Sequence, residues 1–327
     1  MWTRRTVLAS GAALLATPAA AADYGEALAR AWGGPVSATA AHREALAEVR
    51  RLRDRADRLL HGQGLEQGTV AGRIAALFAD PRFLYPDDDA GRDQAVAAMN
   101  ARLAALRPRL ARAFGDLAIP EAQVRRMSPA DAARGRGGYR DPGVYYVDLK
   151  AIGERPGWTL PSVAFHETVP GHALQAALQS ADPAKQPYLG VYSEAWATYA
   201  EQLAADLGAY ADDPPGELGY LHWRLFRMAR IVADTGQGAL GWTADRAVAA
   251  MRDIQGRAVA FTTIEADIAR MRQSPGVYAA QGLGALSISR LRPRRPAAWP
   301  QFHASILADG PWPCSMLPRR VAKGVSR

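Results

Sequence analysis

The sequence predicts a mainly α-helical fold that contains one small β-sheet. Apolar residues recur with the helical period through most of the 327 residues. Two short segments, "EAQVRRM" (121–127) and "GVYYVDL" (143–149), instead have the composition of strands. No segment repeats at a fixed period, and the length suits one large domain or two small ones. We expect a single domain over residues 23–327.

The first 22 residues resemble an export signal. Arg4 and Arg5 precede an uncharged run, Thr6 to Ala22, that ends in small residues suited to signal peptidase. The stretch "TRRTVL" resembles a twin-arginine signal, and an ordinary secretory signal with two arginines is the alternative. Either route predicts a periplasmic or secreted protein. The run is too short and too alanine-rich for a membrane span, so none is expected after signal removal.

The expected domain has three consecutive parts. Residues 36–115 contain amphipathic helices, residues 116–150 contain the small sheet, and residues 158–327 contain further helices and a tail rich in proline and tryptophan. The stretch "RGRGGYRDPG" between the two strands is expected to be a loop. The helices are predicted at 36–62, 66–80, 90–113, 159–180, 190–208, 215–237, 243–255, 260–272 and 276–291.

Composition excludes several classes of protein. The formal charge is +8, but the basic residues alternate with acids, as in "REALAEVRRLRDRADRLL". This pattern is typical of solvated helix faces, and we expect no nucleic-acid partner. The single cysteine, Cys314, excludes an internal disulfide framework and any CxxC metal site.

The stretch "SVAFHETVPGHALQAALQ" (162–179) carries the pattern of a metal site with unusual spacing. His166 and His172 are six residues apart, so in a straight helix they would point about 120° apart and lie about 9 Å apart along the axis. Pro170 cannot donate to the preceding turn, and Gly171 permits a sharp bend. The sequence therefore predicts a kinked helix that brings both imidazoles to one zinc ion.

Three glutamates could complete this site. Glu194, in "YSEAWATYAEQLAADLG" on the next predicted helix, is the expected third ligand. Glu167 directly follows the first histidine and points away from it, so it is free to act as a general base. Glu201 lies on the same helix face as Glu194 and could orient a ligating imidazole. The alternative is that His166 and His172 are packing or surface residues.

The remaining histidines are given other roles. His42 and His61 lie on a charged helix and are expected at the surface. His222 lies in an apolar helix and is expected in the core. His303, in "WPQFHASILADG", is kept as a residue that could lie near the site.

These residues resemble a bacterial domain-of-unknown-function family, number 885, over about residues 43–317. The resemblance is carried by "LEQGTVAGRIAALFADPRFLYPDDDAGR", "GVYYVDL", "HETVPGHALQ", "SEAWATYAE", "ARIVADTG" and "FHASILADGPWP". The family is similar to helical gluzincin metallopeptidases such as thimet oligopeptidase and carboxypeptidase Taq. The resemblance implies a Zn²⁺ ion held by His166, His172 and Glu194, with Glu167 as base. The strand "VYYVDL", which contains Tyr146, would then pair with an extended peptide substrate.

The chain departs from the family pattern in three places. Family members have a longer helical N-terminal half, so one wall of the substrate channel is expected to be missing or supplied by a partner. Gly238 stands where the family has a histidine, and Gln281 stands where it has a tyrosine. A histidine and a tyrosine are common oxyanion donors, and loss of one such donor costs about 10²–10³ in rate.

The functional expectation is a zinc-dependent peptidase that hydrolyses peptide bonds in the bacterial cell envelope. The alternative is a catalytically weakened zinc-binding relative that binds peptides or assists assembly, which Gly238 and Gln281 favour. A third reading is metal-dependent hydrolysis of a non-peptide amide or ester. Self-association is left open.

Overall fold

The structure, a computed structural model, describes residues 18–134, 137–257, 259 and 262–325. It confirms a mainly α-helical fold with a small sheet. The predicted signal falls mostly outside the described residues, Arg4 and Arg5 included. The first described helix begins at Pro18, within the predicted signal. Among the described residues, no helix is long and apolar enough to span a membrane.

The first part of the fold is a helical layer whose helices begin at side-chain caps. Ser37, Thr69 and Asp88 each accept a hydrogen bond from a backbone N–H in the first turn of the helix that follows them. These helices are α2 (Ala38–Gly62), α3 (Val70–Phe78) and α4 (Asp89–Leu106). The helix predicted over 90–113 is interrupted at Pro108, where a 3₁₀ turn separates α4 from a short α5. The bounds are α1 Pro18–Trp32, α2 Ala38–Gly62, α3 Val70–Phe78, α4 Asp89–Leu106 and α5 Ala111–Phe114.

The sheet has three strands in the order β1, β3, β2. Strand β1 (Gln123–Arg126) is parallel to β3 (Val144–Val147), and β2 (Tyr139–Asp141) is antiparallel to β3. A short helix, α6 (Pro129–Ala133), follows β1. Strand β2 lies in the segment predicted to be a loop, because three residues are too few for a visible alternation. The expected edge pairing through "VYYVDL" is wrong, since β3 is hydrogen-bonded on both sides.

The remaining helices form the body around a buried central helix, α10 (Pro214–Leu240). It packs against α2, α11 (Ala244–Gln255) and α13 (Val277–Leu291), and its apolar residues on several faces are buried. The C-terminal tail folds back as α14 and α15, with α14 packed on α5. The bounds are α7 Leu160–Glu167, α8 His172–Leu178, α9 Leu189–Asp206, α10 Pro214–Leu240, α11 Ala244–Gln255, α12 Ile264–Gln273, α13 Val277–Leu291, α14 Trp299–Leu307 and α15 Leu317–Val325.

Two of the buried histidines outside the site lie on α2 and α10. His222 lies in the core, as predicted, between Phe78 and Trp158. His42 was expected at the surface, and that prediction is wrong. It is buried on α2, where its Nδ1 lies 2.8 Å from Thr235 Oγ1 on α10. The charged neighbours of His42 in the sequence face solvent, whereas its own helix face packs on α10.

Candidate metal centre

The segment between α7 and α8 makes the bend that the histidine spacing requires. Helix α7 ends at Glu167 and α8 begins at His172. The N–H of Gly171 donates to the carbonyl of Phe165 at 3.0 Å. A Cβ on Gly171 would lie 2.0 Å from the His166 carbonyl oxygen, so this close approach requires glycine. The indole of Trp196 on α9 donates to Pro170 O at 2.9 Å and fixes the bend to the next helix.

The bend brings three candidate ligands together. The imidazoles of His166 and His172 have centroids 4.8 Å apart and are nearly perpendicular. Nε2 of His166 lies 3.6 Å from Glu194 Oε2, and Nε2 of His172 lies 3.3 Å from Glu194 Oε1. One ligand atom from each of these residues lies within 4.8 Å of the others. Ligand atoms of a tetrahedral zinc ion are roughly 3–3.5 Å apart, and the two nitrogen–oxygen distances of 3.6 and 3.3 Å are close to that spacing.

Both imidazoles are held by their other nitrogen. Nδ1 of His166 lies 2.8 Å from Glu201 Oε1, and Ser162 donates to the second oxygen of Glu201 at 2.5 Å. Nδ1 of His172 lies 2.8 Å from Ser193 Oγ. These contacts leave Nε2 of each ring facing Glu194. Glu201 therefore lies where the sequence predicted an orienting carboxylate. Ser193 was missed, and its only signal was its place directly before Glu194.

The charge state of the cluster depends on its internal contacts. Burial disfavours the charged form of His166, but contacts with Glu194 and Glu201 outweigh burial and raise its pKa to about 9. Burial lowers the pKa of His172. Burial would raise the pKa of Glu194, but the two histidines and Arg227 hold it well below its usual range. The cluster thus contains an ionised carboxylate that attracts positive charge.

The residues present fit a zinc ion. Two imidazole nitrogens and one carboxylate oxygen form the ligand set of one class of catalytic zinc site. Nε2 of His172 is buried without a hydrogen-bond partner among the described residues, although Glu194 lies nearby. The guanidinium of Arg227 on α10 lies 3.3 Å from both His166 Nε2 and Glu194 Oε2. Arg227 thus places a positive charge beside the cluster of His166, His172 and Glu194, where it interacts with the Glu194 carboxylate.

Glu167 lies outside the ligand cluster, between two cavities. A cavity of about 510 Å³, here called the metal cavity, is lined by Glu167 together with His166 and Glu194. A second cavity of about 410 Å³, here called the apolar cavity, is lined by Glu167, His172 and several alanines. Arg140 on β2 forms an ion pair with Glu167. Sequence reasoning missed Arg140, because it lies in the segment predicted to be a loop.

The metal cavity also contains two tyrosines and a glutamine. Tyr145 on β3 lines it, whereas the predicted Tyr146 does not and stacks on Tyr139 at 4.7 Å. The correction follows from strand geometry, because neighbouring side chains point to opposite faces. Gln281 on α13 lines the cavity, and Tyr278 lies one turn earlier on the same helix. A phenol therefore lies one helical turn from Gln281, the position where the resemblance led us to expect a tyrosine.

Two further predictions do not match the structure. His303 does not line the metal cavity and is buried in the core; its Nε2 lies 2.7 Å from Tyr199 Oη and its Nδ1 lies 2.7 Å from Ala113 O. Gly238 lines a different cavity, where a Cβ would lie 1.9 Å from Tyr24. It is about three helical turns, roughly 16 Å, beyond Arg227 on α10. Gly238 therefore does not mark an oxyanion donor lost from this site.

The fold and the cluster together define a helical protein with a candidate metal centre of two histidines and a glutamate. The chain belongs to the family described as "Bacterial protein of unknown function (DUF885)", which matches residues 2–321. No curated protein matches the chain.

Two solved structures are similar to the chain. The crystal structure of "the putative lipoprotein from Colwellia psychrerythraea" has 31% sequence identity and a TM-score of 0.82 over 95% of this chain and 56% of that one. The structure of "a putative lipoprotein of unknown function from Shewanella oneidensis" has 17% identity and a TM-score of 0.70 over 91% and 59%. The second likeness shows the fold alone. The chain spans just over half the length of either protein.

Proposed function

We propose that this protein is a zinc-dependent peptidase of the bacterial cell envelope, related to the helical gluzincins. The observation that carries the proposal is the convergence of His166, His172 and Glu194, whose ligand atoms lie within 4.8 Å of one another. Glu167 lines the metal cavity together with His166 and Glu194, and the apolar cavity together with His172. A carboxylate next to a His₂Glu cluster, but outside it, is the arrangement that metal-assisted hydrolysis needs. A zinc ion would be held by His166, His172 and Glu194.

In this proposal, different residues of the chain carry out different steps of the hydrolysis. Zinc, when bound, supplies a Lewis acid that acidifies water and polarises a carbonyl group. Glu167 takes the proton from the attacking water and passes it to the nitrogen of the leaving amine. Arg140 bonds one carboxylate oxygen of Glu167 and thereby leaves the other oxygen for the water. Glu201 and Ser193 keep the two imidazoles in place through Nδ1.

Two phenols in the metal cavity could stabilise the developing oxyanion. Tyr145 and Tyr278 both line this cavity. Burial raises the pKa of Tyr145 above its usual value, so its hydroxyl stays protonated and can donate. A donor placed toward the oxyanion contributes about 10²–10³ in rate. These tyrosines offer the function that the family pattern assigns to residues replaced here.

The two cavities suit an extended peptide. Because Glu167 lines both, a chain that passes it would occupy the metal cavity on one side and the apolar cavity on the other. Strand β2 has β3 on one side and carries Arg140 next to Glu167, so β2 replaces β3 as the strand to which a peptide would add.

An envelope location is supported by two observations. The N-terminal sequence resembles an export signal. Both similar solved structures carry the word lipoprotein in their names. We include a periplasmic or secreted location in the proposal.

A weakened zinc-binding relative that binds peptides is the second candidate. Gln281 in the metal cavity, in place of a phenol, favours it. Gly238 gives it no support, because that residue lies at another cavity.

The test is cleavage of a peptide library by the zinc-loaded protein. Wild type should cleave, and Glu167→Gln should keep the metal but lose turnover by about 10²–10⁴. Glu265→Gln is the matched control, because Glu265 is also paired with an arginine, Arg252, but does not line either cavity. Equal and negligible cleavage by wild type and Glu167→Gln, with zinc and peptides still bound, would instead support the peptide-binding protein.

A further inference from the structure

Several arginines line the metal cavity. Among its described lining residues are Arg155, Arg227, Arg230 and Arg270. Guanidinium groups recognise carboxylates through paired hydrogen bonds, so their partners decide whether any is free for a ligand.

Three of these arginines have carboxylate partners within the protein. Arg230 bonds both oxygens of Asp267, at 2.7 and 2.6 Å, and Arg270 bonds the same fully buried carboxylate at 2.9 Å. Arg227 pairs with Glu194. Two guanidiniums therefore share one Asp267 carboxylate, which leaves an excess of positive charge on this wall of the cavity.

Arg155 has no such partner. Its side chain is 9% exposed, its Nε is buried without a hydrogen bond, and it forms no ion pair with any described residue. Tyr145 and Asp148 are near enough to stabilise its charge electrostatically, but neither hydrogen-bonds the guanidinium. Oδ1 of Asp148 accepts from the backbone N–H of Lys150. A buried charge without a partner is unfavourable, so this position favours an anionic ligand.

The other cavity carboxylates are already engaged. Glu167 pairs with Arg140, Glu194 belongs to the ligand cluster, and Glu201 bonds His166 and Ser162. Each of these carboxylates therefore has a partner other than Arg155. The backbone at Arg155 is also well defined, since its N–H donates to Ile152 O at the end of a 3₁₀ turn. The unpaired guanidinium is therefore presented from an ordered turn.

We propose that Arg155 binds a carboxylate of the peptide substrate inside the metal cavity, and so selects for acidic groups near the cleaved bond. The carboxylate is either the C-terminus of the peptide or an acidic side chain. This inference rests on the proposed peptidase function. At about 510 Å³, the cavity is within the roughly 300–1,000 Å³ of small-ligand sites.

The test measures peptide binding without turnover. Zinc-loaded Glu167→Gln protein is titrated with two pairs of labelled acetylated peptides, followed by fluorescence anisotropy. One pair is Ala-Ala-Phe-Ala-Ala with a free or an amidated C-terminus. The other pair is amidated Ala-Ala-Phe-Glu-Ala and its glutamine twin. Each pair differs by one carboxylate, so the pair that shows the difference identifies the source of the carboxylate.

Adding Arg155→Ala should weaken binding of the carboxylate peptide about 30-fold or more and leave its neutral twin unchanged. Arg155→Lys keeps the positive charge and should therefore retain part of the affinity for the carboxylate peptide. This variant replaces Arg155→Ala in the test if the alanine variant folds poorly. Arg252→Ala is the control, because Arg252 is exposed and pairs with Glu265 away from the cavity. Zinc content and thermal melting of each variant report on folding.

The inference is overturned if the Arg155-containing protein binds both members of each pair equally, or if Arg155→Ala weakens both equally. Its failure is distinct from failure of the proposed function. If the protein cleaves neutral amidated peptides, needs Glu167 to do so and shows no preference for a carboxylate, the peptidase proposal stands and this role of Arg155 is rejected. If the protein cleaves no peptide but binds the carboxylate peptide through Arg155, this role of Arg155 stands and the peptidase proposal is rejected.

Discussion

Arg140 on β2 forms an ion pair with Glu167 at the end of α7, and so connects the sheet to the candidate general base. Strand β2 is held in turn by antiparallel pairing with β3. The small sheet therefore contacts the carboxylate that we propose as the general base, a role that its three short strands did not suggest.

Loss of Arg140 should reduce turnover without releasing the metal. We expect Arg140→Ala to lower kcat by about 10- to 100-fold, because Glu167 loses the contact that orients it. Zinc content should not change, since neither residue is a ligand. Steady-state kinetics with parallel metal analysis checks this. Unchanged kcat in a fully folded variant would show that the ion pair has no positioning role.

Loss of Ser193 should weaken zinc binding. Ser193→Ala removes the partner of His172 Nδ1 and should lower zinc affinity about 10- to 100-fold. Competition with a chromophoric chelator measures the affinity. Ser305→Ala is the matched control, because the hydroxyl of Ser305 donates to the carbonyl of Phe302 on α14, and its loss should leave zinc binding unaltered. Equal affinities in the two variants would contradict the orienting role.

A side chain at Gly171 should disrupt the bend. Gly171→Ala would place Cβ 2.0 Å from the His166 carbonyl, and overpacking of this kind costs about 1–3 kcal/mol. We expect a lower melting temperature and weaker zinc binding, because the two histidines move apart. Gly190→Ala is the control, since nothing lies within 4 Å of a Cβ there. Scanning calorimetry measures the melting temperatures of both variants. If Gly171→Ala is as stable as Gly190→Ala, the close approach of Gly171 to the His166 carbonyl is ruled out.

Acid should destabilise the protein partly through His222. Burial lowers the pKa of His222 to about 4, so the folded state keeps it neutral while the unfolded chain protonates near pH 6.5. The unfolded state therefore binds more protons between these values. The free energy of unfolding should fall as pH drops from about 6.5 to 4, by up to about 1.4 kcal/mol per unit.

The variant His222→Leu should reduce this pH dependence, as followed by denaturant unfolding between pH 4 and 7. His61→Gln, at a half-exposed histidine, is the control for loss of an imidazole. Identical slopes for wild type and His222→Leu would contradict the assignment of His222 to the acid response.

Much of this fold follows from local sequence patterns. The helical periods predicted helices over 36–62 and 66–80, and α2 and α3 lie within these ranges; their first residues are set by the caps Ser37 and Thr69. Strand β2 depends on its pairing with β3, and the helix break depends on the single residue Pro108. Neither feature changes the hydrophobic periodicity, so periodicity alone does not predict them. The burial of His42 likewise depends on which face of α2 meets α10.

The candidate site likewise contains some residues that the sequence predicted and others that it did not. His166, Glu167, His172, Glu194 and Glu201 could be predicted because helical spacing and zinc chemistry restrict the choice. Arg140, Arg155 and Arg227 could not, since they reach the site from other elements and an arginine is usually a surface residue. Tyr145 was confused with Tyr146, because the facing of a strand is decided by what packs against it.

The central claim is that His166, His172 and Glu194 hold a zinc ion, and metal analysis tests it most directly. Protein purified with zinc and freed of excess metal should contain about one zinc per chain. His172→Ala should lose most of it, whereas His61→Ala, away from the site, should keep it. Full zinc in His172→Ala, or no zinc in the folded wild type, would contradict the account.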